Sequence, residues 1–176
     1  MHAVVWIAGV LAAALAAAAP GRAQDAPDHA RAGEGKRVYQ RANCVGCHKW
    51  HGDGGGGYGG AALSLRATQL TREQIMEVVN CGRPGTGMPY HARGAYDGDG
   101  CYGLTREALG KDVPVEGTVF LRPSEIGAVA DYVLAAIKGR GDPTYADCAA
   151  FFGDGARACN IYRTAQPTGA PPKEGG

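Results

Sequence analysis

The chain has 176 residues, a length that suggests one domain, or one domain with appendages. Its formal net charge is only +1, so its charge gives no strong attraction to nucleic acid. Glycine is abundant, at 29 residues, against three phenylalanines and two tryptophans. Such a chain has many loops and little aromatic mass for a core, and we expect a bound cofactor to fill its centre.

The first residues are typical of a secretory signal. An unbroken apolar run covers residues 3–19 and ends at Pro20, and the small residues Gly21 and Ala23 suit a cleavage site. An uncleaved membrane anchor is the alternative, but the run is shorter than the roughly 20 residues that span a bilayer comfortably. We expect residues 1–23 to be removed and the mature chain to lie in the periplasm, without a membrane span.

The first predicted helix follows a polar lead-in. Residues 24–32 contain Pro27 and are predicted to be flexible, and a helix is predicted over 33–43. The glycine-rich segment 51–60 is predicted to be a loop, because glycine loses much backbone entropy when it is ordered.

The second predicted helix begins after Thr71. Thr71 and Gln74 have the spacing of a capping box, and Gly82 supplies a stop. The following segment, 83–115, is rich in loop-forming residues.

The last strong helix is predicted to begin at Pro123, a favoured first helical residue. Apolar residues follow with helical spacing over 126–137, and Gly139 ends the helix. A short helix is predicted over 143–152, capped by Asp142. No segment alternates as a strand would, so the predicted fold class is all-α, with short helices and long loops. Loops of that length are expected in a compact domain when they serve a function, such as wrapping a large ligand.

The segment RANCVGCHKWH contains Cys44, Cys47 and His48, and four kinds of site fit these residues. A tetrahedral zinc site needs four ligands, usually from a second Cys or His pair. His51 could be a further ligand, but the chain has no second Cys-x-x-Cys pair. A thioredoxin-like dithiol is expected beside strands, which this chain lacks. A plain disulfide clip would give His48 no role.

The fourth kind of site, a c-type haem attachment, uses all three residues. The thiols of Cys44 and Cys47 would form thioethers with the haem vinyl groups, and His48 would bind the iron. Export agrees with this chemistry, because haem is attached outside the cytoplasm. We therefore predict one covalently bound haem c.

The sixth iron position has several candidates. Met88 lies in the loop GRPGTGMPYH, which can bring a thioether to a flat face, and it is the favoured ligand. Met76 lies on the apolar side of a helix, where methionine is usually core. His91 would make the iron bis-histidine, His51 is too close to His48, and an open position is also possible.

At this point the chain resembles the class I cytochrome c family. The similar segments are GEGKRVYQRANCVGCH (33–48), LTREQIMEVVNCGRPGTGMP (70–89) and LRPSEIGAVADYVLAAI (121–137). Together they span about 33–138, most of the mature chain. The resemblance implies the cytochrome c fold, in which several short helices and long loops wrap one haem.

The resemblance also implies roles for single residues. Residues 60–63 resemble the family's Gly-Pro-x-Leu loop, whose backbone carbonyl accepts a hydrogen bond from the proximal histidine. Ala61 stands where proline is usual. Gly35 is expected to pack beneath Tyr132, where a small residue lets the first and last helices approach closely.

The function that the resemblance implies is electron transfer and not enzymatic catalysis. Iron held by His48 and Met88 would take single electrons from a periplasmic dehydrogenase and pass them to an oxidase or another cytochrome. One alternative is a cytochrome subunit held permanently in an oxidoreductase complex. Another is a haem sensor or enzyme with an exchangeable sixth ligand.

Four cysteines remain, and they allow three pairings. We favour the neighbours, Cys81 with Cys101 and Cys148 with Cys159. The first bridge would bracket Met88 and restrain its loop. The predicted organisation is a signal (1–23), a flexible lead-in (24–32), a cytochrome domain (33–140), a disulfide-containing extension (141–164) and a disordered tail (165–176).

Charged residues near the proposed haem loops have weaker interpretations. Asp97 and Asp99 could bind calcium, although a turn is favoured because the EF-hand pattern is missing. Arg83 is a candidate for a haem propionate. Five cations could steer an acidic partner: Lys49, Arg66, Arg72, Arg83 and Arg93.

Overall fold

The computed structural model describes residues 25–55 and 62–163. The predicted signal and the predicted disordered tail, 165–176, lie outside these ranges. Among the described residues, no helix is long and apolar enough to cross a membrane.

The described part of the chain is helical and contains no strand, as the all-α prediction requires. Its α-helices are α1 (Asp25–Arg41), α2 (Cys44–His48), α3 (Arg72–Cys81), α4 (Arg106–Leu109), α5 (Pro123–Tyr132) and α6 (Tyr145–Phe152). Shorter turns are 3₁₀-helical at Gly110–Asp112 and Arg157–Tyr162, and a π-helical turn, Val133–Ile137, continues α5. Two isolated β-bridges are present, Tyr90 with Glu116 and Cys101 with Leu104.

Helix α1 begins earlier than predicted. Its backbone is helical from Asp25, so it includes the residues 25–32 that we expected to be a flexible lead-in. The first turn of α1 can contain both Pro27 and Asp25 for physical reasons. Proline is tolerated there because its missing N–H would have no helical partner, and an aspartate complements the helix dipole. Pro27 is therefore compatible with the helix that begins at Asp25.

The first and last helices of the domain cross at Gly35. A Cβ atom added there would lie 2.0 Å from the carbonyl oxygen of Ala128 and 2.6 Å from Cβ of Tyr132. The rings of Tyr39 and Tyr132 pack beside this crossing, with centroids 5.6 Å apart. The expected contact between Gly35 and Tyr132 is confirmed, and the backbones of α1 and α5 approach closely only because residue 35 has no side chain.

Gly35→Ala is therefore expected to destabilise the fold by about 1–3 kcal/mol, the usual cost of overpacking, despite alanine's higher helix propensity. The measurement is urea unfolding of the haem-loaded protein. Gly33→Ala is the matched control on α1, because the atom nearest to its added Cβ is the flexible Arg37 Nη1 at 3.9 Å. It should be neutral or stabilise by up to about 1 kcal/mol. Equal effects of the two changes would contradict the close crossing.

Helix α3 has the predicted ends. Thr71 caps it, the Gln74 side chain accepts from the Thr71 backbone N–H at 2.9 Å, and the capping box is complete. Gly82 terminates the helix with a positive φ of 67°. Ile75 and Val79 face the main core, which they share with the buried faces of α1 and α5.

Glu125 joins α5 to α1 through a buried carboxylate. It accepts from the Arg122 backbone N–H at 2.8 Å and from Arg41 Nη2 at 2.5 Å, with its side chain 9% exposed. The hydrogen bond from the Arg122 backbone is the largest cause that lowers the pKa of Glu125 to about 2, and the Arg122 and Arg41 guanidinium groups lower it further. The carboxylate therefore stabilises the folded state in its charged form.

Glu125→Gln should remove about 1–2 kcal/mol of stability at pH 7, after allowance for solvent screening of the arginines. The folded pKa is depressed, so the contribution is fully present above the unfolded pKa. It disappears as the pH falls from about 4.5 towards 2. The difference in unfolding free energy between wild type and variant, measured from pH 7 to 2, should shrink through that window. A difference that does not change with pH would contradict the assignment.

Helix α5 starts at Pro123 as predicted, and Gly139 lies just beyond its π-helical continuation. Helix α6 starts later than predicted. Thr144, not Asp142, is its cap, and the side chains of Thr144 and Asp147 form a capping box. Threonine is the better match because an acidic residue follows it three positions on.

The last residue of α3 and the segment between α3 and α5 build a second, smaller core. Its buried residues are Cys81, Tyr90, Ala95, Tyr96 and Cys101. The rings of Tyr90 and Tyr96 meet edge to face with centroids 5.7 Å apart. The region that we expected to be loop-rich is therefore packed on its own apolar centre, and α4 lies within it.

Candidate metal centre

The Cys-x-x-Cys-His motif is itself helix α2. Asn43 precedes it in the left-handed conformation, with φ of 58°, and turns the chain from α1 into α2. The hydroxyl of Tyr39 donates to the carbonyl of Lys49 at 2.8 Å, directly behind the motif. Both ends of α2 are thus attached to α1, which fixes the direction in which the motif's side chains leave the backbone.

The two motif cysteines are half-buried and are not joined in a disulfide. Burial raises the pKa of the Cys44 thiol to about 12. Cys44 is therefore a neutral thiol at physiological pH. Two unbridged thiols on one helical turn fit thioether formation with a pair of vinyl groups, which was the reason for predicting them as haem attachment points.

His48 has one ring nitrogen engaged and the other available. Nδ1 donates to the backbone carbonyl of Leu63 at 3.1 Å. Burial lowers the pKa of His48 below its ordinary value, and the carbonyl only partly opposes this. The ring is therefore neutral near pH 7, with its proton on Nδ1. A metal-binding histidine commonly has this arrangement, because an acceptor on one nitrogen orients the other towards the metal.

The accepting carbonyl differs from the one that the resemblance placed. Residues 60–63 were aligned with the family's loop, with Ala61 at the proline position, and Ala61 lies outside the described residues. The acceptor is Leu63, whose side chain is 66% exposed, whereas Leu65 packs against the main core. The carbonyl that accepts from His48 is therefore that of Leu63 and not that of Ala61. Sequence alone does not show which of the leucines is buried.

Met88 lies in a restrained loop next to the end of α3. Its carbonyl accepts from the Arg83 backbone N–H at 3.1 Å, and its own N–H donates to Thr86 Oγ1 at 3.2 Å. Its side chain is half-buried and belongs to neither core of the described residues, unlike Met76, which packs against the main one. The thioether of Met88 is therefore not part of either hydrophobic core of the described residues.

His91 has a different position from Met88. It is 2% exposed, and its Nδ1 donates to the Val119 carbonyl at 2.8 Å. Its backbone N–H and carbonyl pair with Val79 and Leu121, so it joins α3 to the start of α5. These bonds give His91 a structural role, which the sequence did not reveal.

Arg83 interacts with both the Met88 loop and His48. Its backbone holds the Met88 carbonyl, and its guanidinium is close enough for its charge to lower the pKa of His48, although less than burial does. The loop and the motif, 40 positions apart in the chain, therefore face a common region.

Cys81 and Cys101 lie at disulfide distance, with sulfurs 2.05 Å apart. Tyrosine hydroxyls reinforce this region, since Tyr96 donates to the Cys81 carbonyl at 2.8 Å and Tyr102 to the Gly82 carbonyl at 2.7 Å. A Cβ atom on Gly82 would lie 2.7 Å from the Met88 carbonyl. The bridge therefore lies directly beneath the loop that carries Met88.

Changing Cys81 and Cys101 together to serine should lower the unfolding free energy by roughly 3 kcal/mol in the chain-entropy model. The change should also loosen the Met88 loop, so that a strong ligand such as imidazole displaces the native sixth ligand more readily. The matched control is the same double change at Cys148 and Cys159, whose sulfurs are 2.08 Å apart. It should cost similar stability and leave imidazole binding unchanged. Equal imidazole affinity in both variants would contradict the restraint.

The C-terminal extension packs directly behind the motif. The ring of Trp50 contacts Phe151, Phe152 and Tyr162, with centroid distances of 5.8, 5.8 and 5.6 Å. Trp50 follows His48 by two residues, so the extension lies against the segment that carries the motif. No role for Trp50 was predicted from the sequence, where its position before a Gly-rich loop gives little indication of one.

The cations that we predicted to steer an acidic partner differ in their exposure and in their contacts. The Arg66 side chain is only 10% exposed, and its Nη1 donates to the His51 carbonyl at 2.8 Å. Arg72 forms a two-point ion pair with Asp131, and Arg93 lies over the ring of Phe120, 4.4 Å from its centroid. Arg66 is therefore a structural residue, which corrects its proposed place on the surface.

Within residues 25–55 and 62–163, no three His, Cys, Asp or Glu side chains are grouped as they would be around a metal ion. Asp97 and Asp99 are exposed residues of a turn region.

Comparison with known proteins gives one match. Residues 30–100 match the model of a family described as cytochrome c oxidase, cbb3-type, subunit III. No curated protein and no solved structure matches the chain. Cys44, Cys47, His48 and Met88 all lie inside the matched residues, and such a family implies a haem c cofactor and electron transfer. Residues 30–100 are therefore similar to a family of c-type cytochromes.

Proposed function

We propose that the protein is a periplasmic mono-haem cytochrome c. Cys44 and Cys47 would hold the haem covalently, and His48 and Met88 would be the axial ligands of its iron. The cytochrome domain, 33–140, would wrap the haem, and the extension, 141–164, would pack behind it. The haem iron would supply the one-electron chemistry, and the protein would make and break no bonds in substrates.

The observation that carries this proposal is the state of His48. Its Nδ1 proton is committed to the Leu63 carbonyl, and burial keeps the ring neutral, so Nε2 is the nitrogen left to bind a metal. The two thiols that precede it are not consumed by a bridge, whereas the other four cysteines are paired. This combination suits haem attachment better than a disulfide clip or a tetrahedral zinc site.

The support for Met88 comes from its loop. Backbone hydrogen bonds join the loop to α3 and to residues 112–115, while the thioether itself belongs to neither core of the described residues. Thioether ligation raises the reduction potential of haem iron relative to bis-histidine ligation. The Arg83 guanidinium, whose charge lowers the pKa of His48, would pair with a haem propionate.

Two partnerships fit an electron-transfer protein of this kind. A free carrier would take electrons from a periplasmic dehydrogenase and deliver them to an oxidase or another cytochrome. The matched family carries the name of an oxidase subunit, which favours the second form, a cytochrome held in an oxidoreductase complex. The extension packed on Trp50 adds surface that a dedicated partner could use.

The test is made on the exported protein purified from its native host. Mass spectrometry should find the chain cut after about residue 23 and heavier by one haem, and acid–acetone should leave the pigment attached. Purification under mild conditions should show whether oxidase subunits accompany it. A chain without haem would overturn the proposal, whereas a haem-bearing chain that purifies alone would support the free carrier.

A further inference from the structure

A cavity of about 170 Å³ lies between the cytochrome domain and the extension. Residues from both sides line it, and those with a charged or imidazole side chain are Lys36, His51, Arg66, Arg140 and Asp147. The proposed haem ligands are not among its lining residues. Its volume is ample for a small ion, since a cavity that holds a single water needs only about 10–15 Å³.

Arg66 brings an unsatisfied donor to this cavity. Nε donates to the Arg140 carbonyl at 3.2 Å and Nη1 to the His51 carbonyl at 2.8 Å. Nη2 is buried and has no hydrogen-bond partner within the described residues. Since the side chain is nine-tenths buried, a charged donor left in this state costs free energy until an acceptor reaches it.

The groups around Arg66 do not supply that acceptor. Asp147 Oδ2 is already used by the Thr144 backbone N–H and hydroxyl at 3.0 and 2.8 Å. The carboxylate of Asp53 lies 3.5 Å from Arg66 Nε and 3.0 Å from His51 Nδ1, and it forms no hydrogen bond with Nη2. The carboxylates therefore moderate the positive charge without satisfying Nη2.

The lining has an excess of positive charge. Lys36 and Arg140 join Arg66, and among the lining residues Asp147 is the one opposing carboxylate. The ammonium of Lys36 donates to the Ala150 carbonyl at 2.8 Å, and Arg140 Nη2 donates to the Ala135 carbonyl at 3.2 Å. Both groups retain further N–H donors, because ammonium has three and guanidinium five.

We propose that this cavity binds a small oxyanion of the phosphate or carboxylate kind. Arg66 Nη2 would be its central donor, and Lys36 and Arg140 would supply further charge-assisted hydrogen bonds. The ion would bridge residues of the domain and the extension, and so fasten the extension behind Trp50. This role is separate from haem binding and does not depend on the identity of the redox partners.

The test uses the full exported holoprotein in an amine buffer with chloride as the background anion. Isothermal titration with phosphate, and separately with acetate, should show one saturable site for at least one of them, and that anion should raise the melting temperature above an equal ionic strength of chloride. Arg140→Gln, an exposed position, should weaken binding roughly tenfold. Arg66→Gln should abolish it, with the haem spectrum as the check on folding.

Arg157→Gln is the matched control, because Arg157 is an exposed cation of the same extension outside the cavity. Its affinity for the anion should equal that of wild type. The proposal is overturned if neither anion binds more tightly than chloride, or if Arg140→Gln and Arg157→Gln change the affinity equally. Either result would mean that water satisfies Arg66 or that general surface charge attracts the ion.

Discussion

Replacing Cys44 and Cys47 together by alanine is expected to abolish covalent haem incorporation. The two thiols are the unbridged cysteines of the described chain, and α2 presents both of them beside His48. Without them, no thioether can form, and haem can be held only by reversible iron ligation. The exported variant should therefore lack the haem mass and lose its colour in acid–acetone, and its steady-state amount should fall.

The matched control removes the same number of sulfurs elsewhere. Cys148→Ala with Cys159→Ala deletes the bridge of the extension, a deletion that costs stability. This control should still carry one covalent haem. If the Cys44 and Cys47 variant kept a covalent haem, or if the control lost it, the assignment of the attachment cysteines would be wrong. Single changes should give a haem attached through one thioether.

Met88→Ala is expected to change the iron centre without detaching the haem. The weak far-red absorption band that marks a methionine–iron bond in the oxidised protein should vanish. The reduction potential should fall on the order of 0.1 V or more, within the roughly 0.8 V range that axial ligation covers. The reduced variant should bind carbon monoxide, since its sixth position no longer has a strong internal ligand.

Met76→Ala provides the control for Met88→Ala. Met76 packs against the main core, and Arg72 Nη1 contacts its sulfur at 3.1 Å. This change should lower the unfolding free energy by about 2 kcal/mol and leave the far-red band and the potential in place. A wild-type protein without that band, with carbon monoxide binding readily to its reduced form, would instead support the sensor or enzyme alternative. If the band survived in Met88→Ala and disappeared in Met76→Ala, Met76 and not Met88 would be the iron ligand.

Local sequence was sufficient where the interaction is local. The capping box of Thr71 and Gln74, the stop at Gly82 and the start at Pro123 each depend on residues within one turn, and all are present. The Cys-x-x-Cys-His motif is also local, because both thiols and the imidazole lie within one five-residue helix. The Gly35 contact was predictable only through the family resemblance, since it joins residues almost 100 positions apart.

The extension shows where local reasoning was insufficient. Its helix was expected, but its cap was placed at Asp142 in place of Thr144, and nothing in the sequence placed it against Trp50. The aromatic contacts join residue 50 to residues beyond 150, and such pairs have no spacing that can be read along the chain. The same reason explains why His91 was considered as a ligand, when its partners are Val79, Val119 and Leu121.

The sequence alone indicated the chemistry that we propose for this protein, because two thiols and an imidazole at this spacing are typical of a haem attachment motif. Tertiary structure decided which groups support that chemistry. It selected the carbonyl of Leu63 as the partner of His48, buried Arg66 that we had placed on the surface, and brought Arg83 near His48. Those choices depend on which of several similar residues becomes buried, and burial is a property of the whole packed chain.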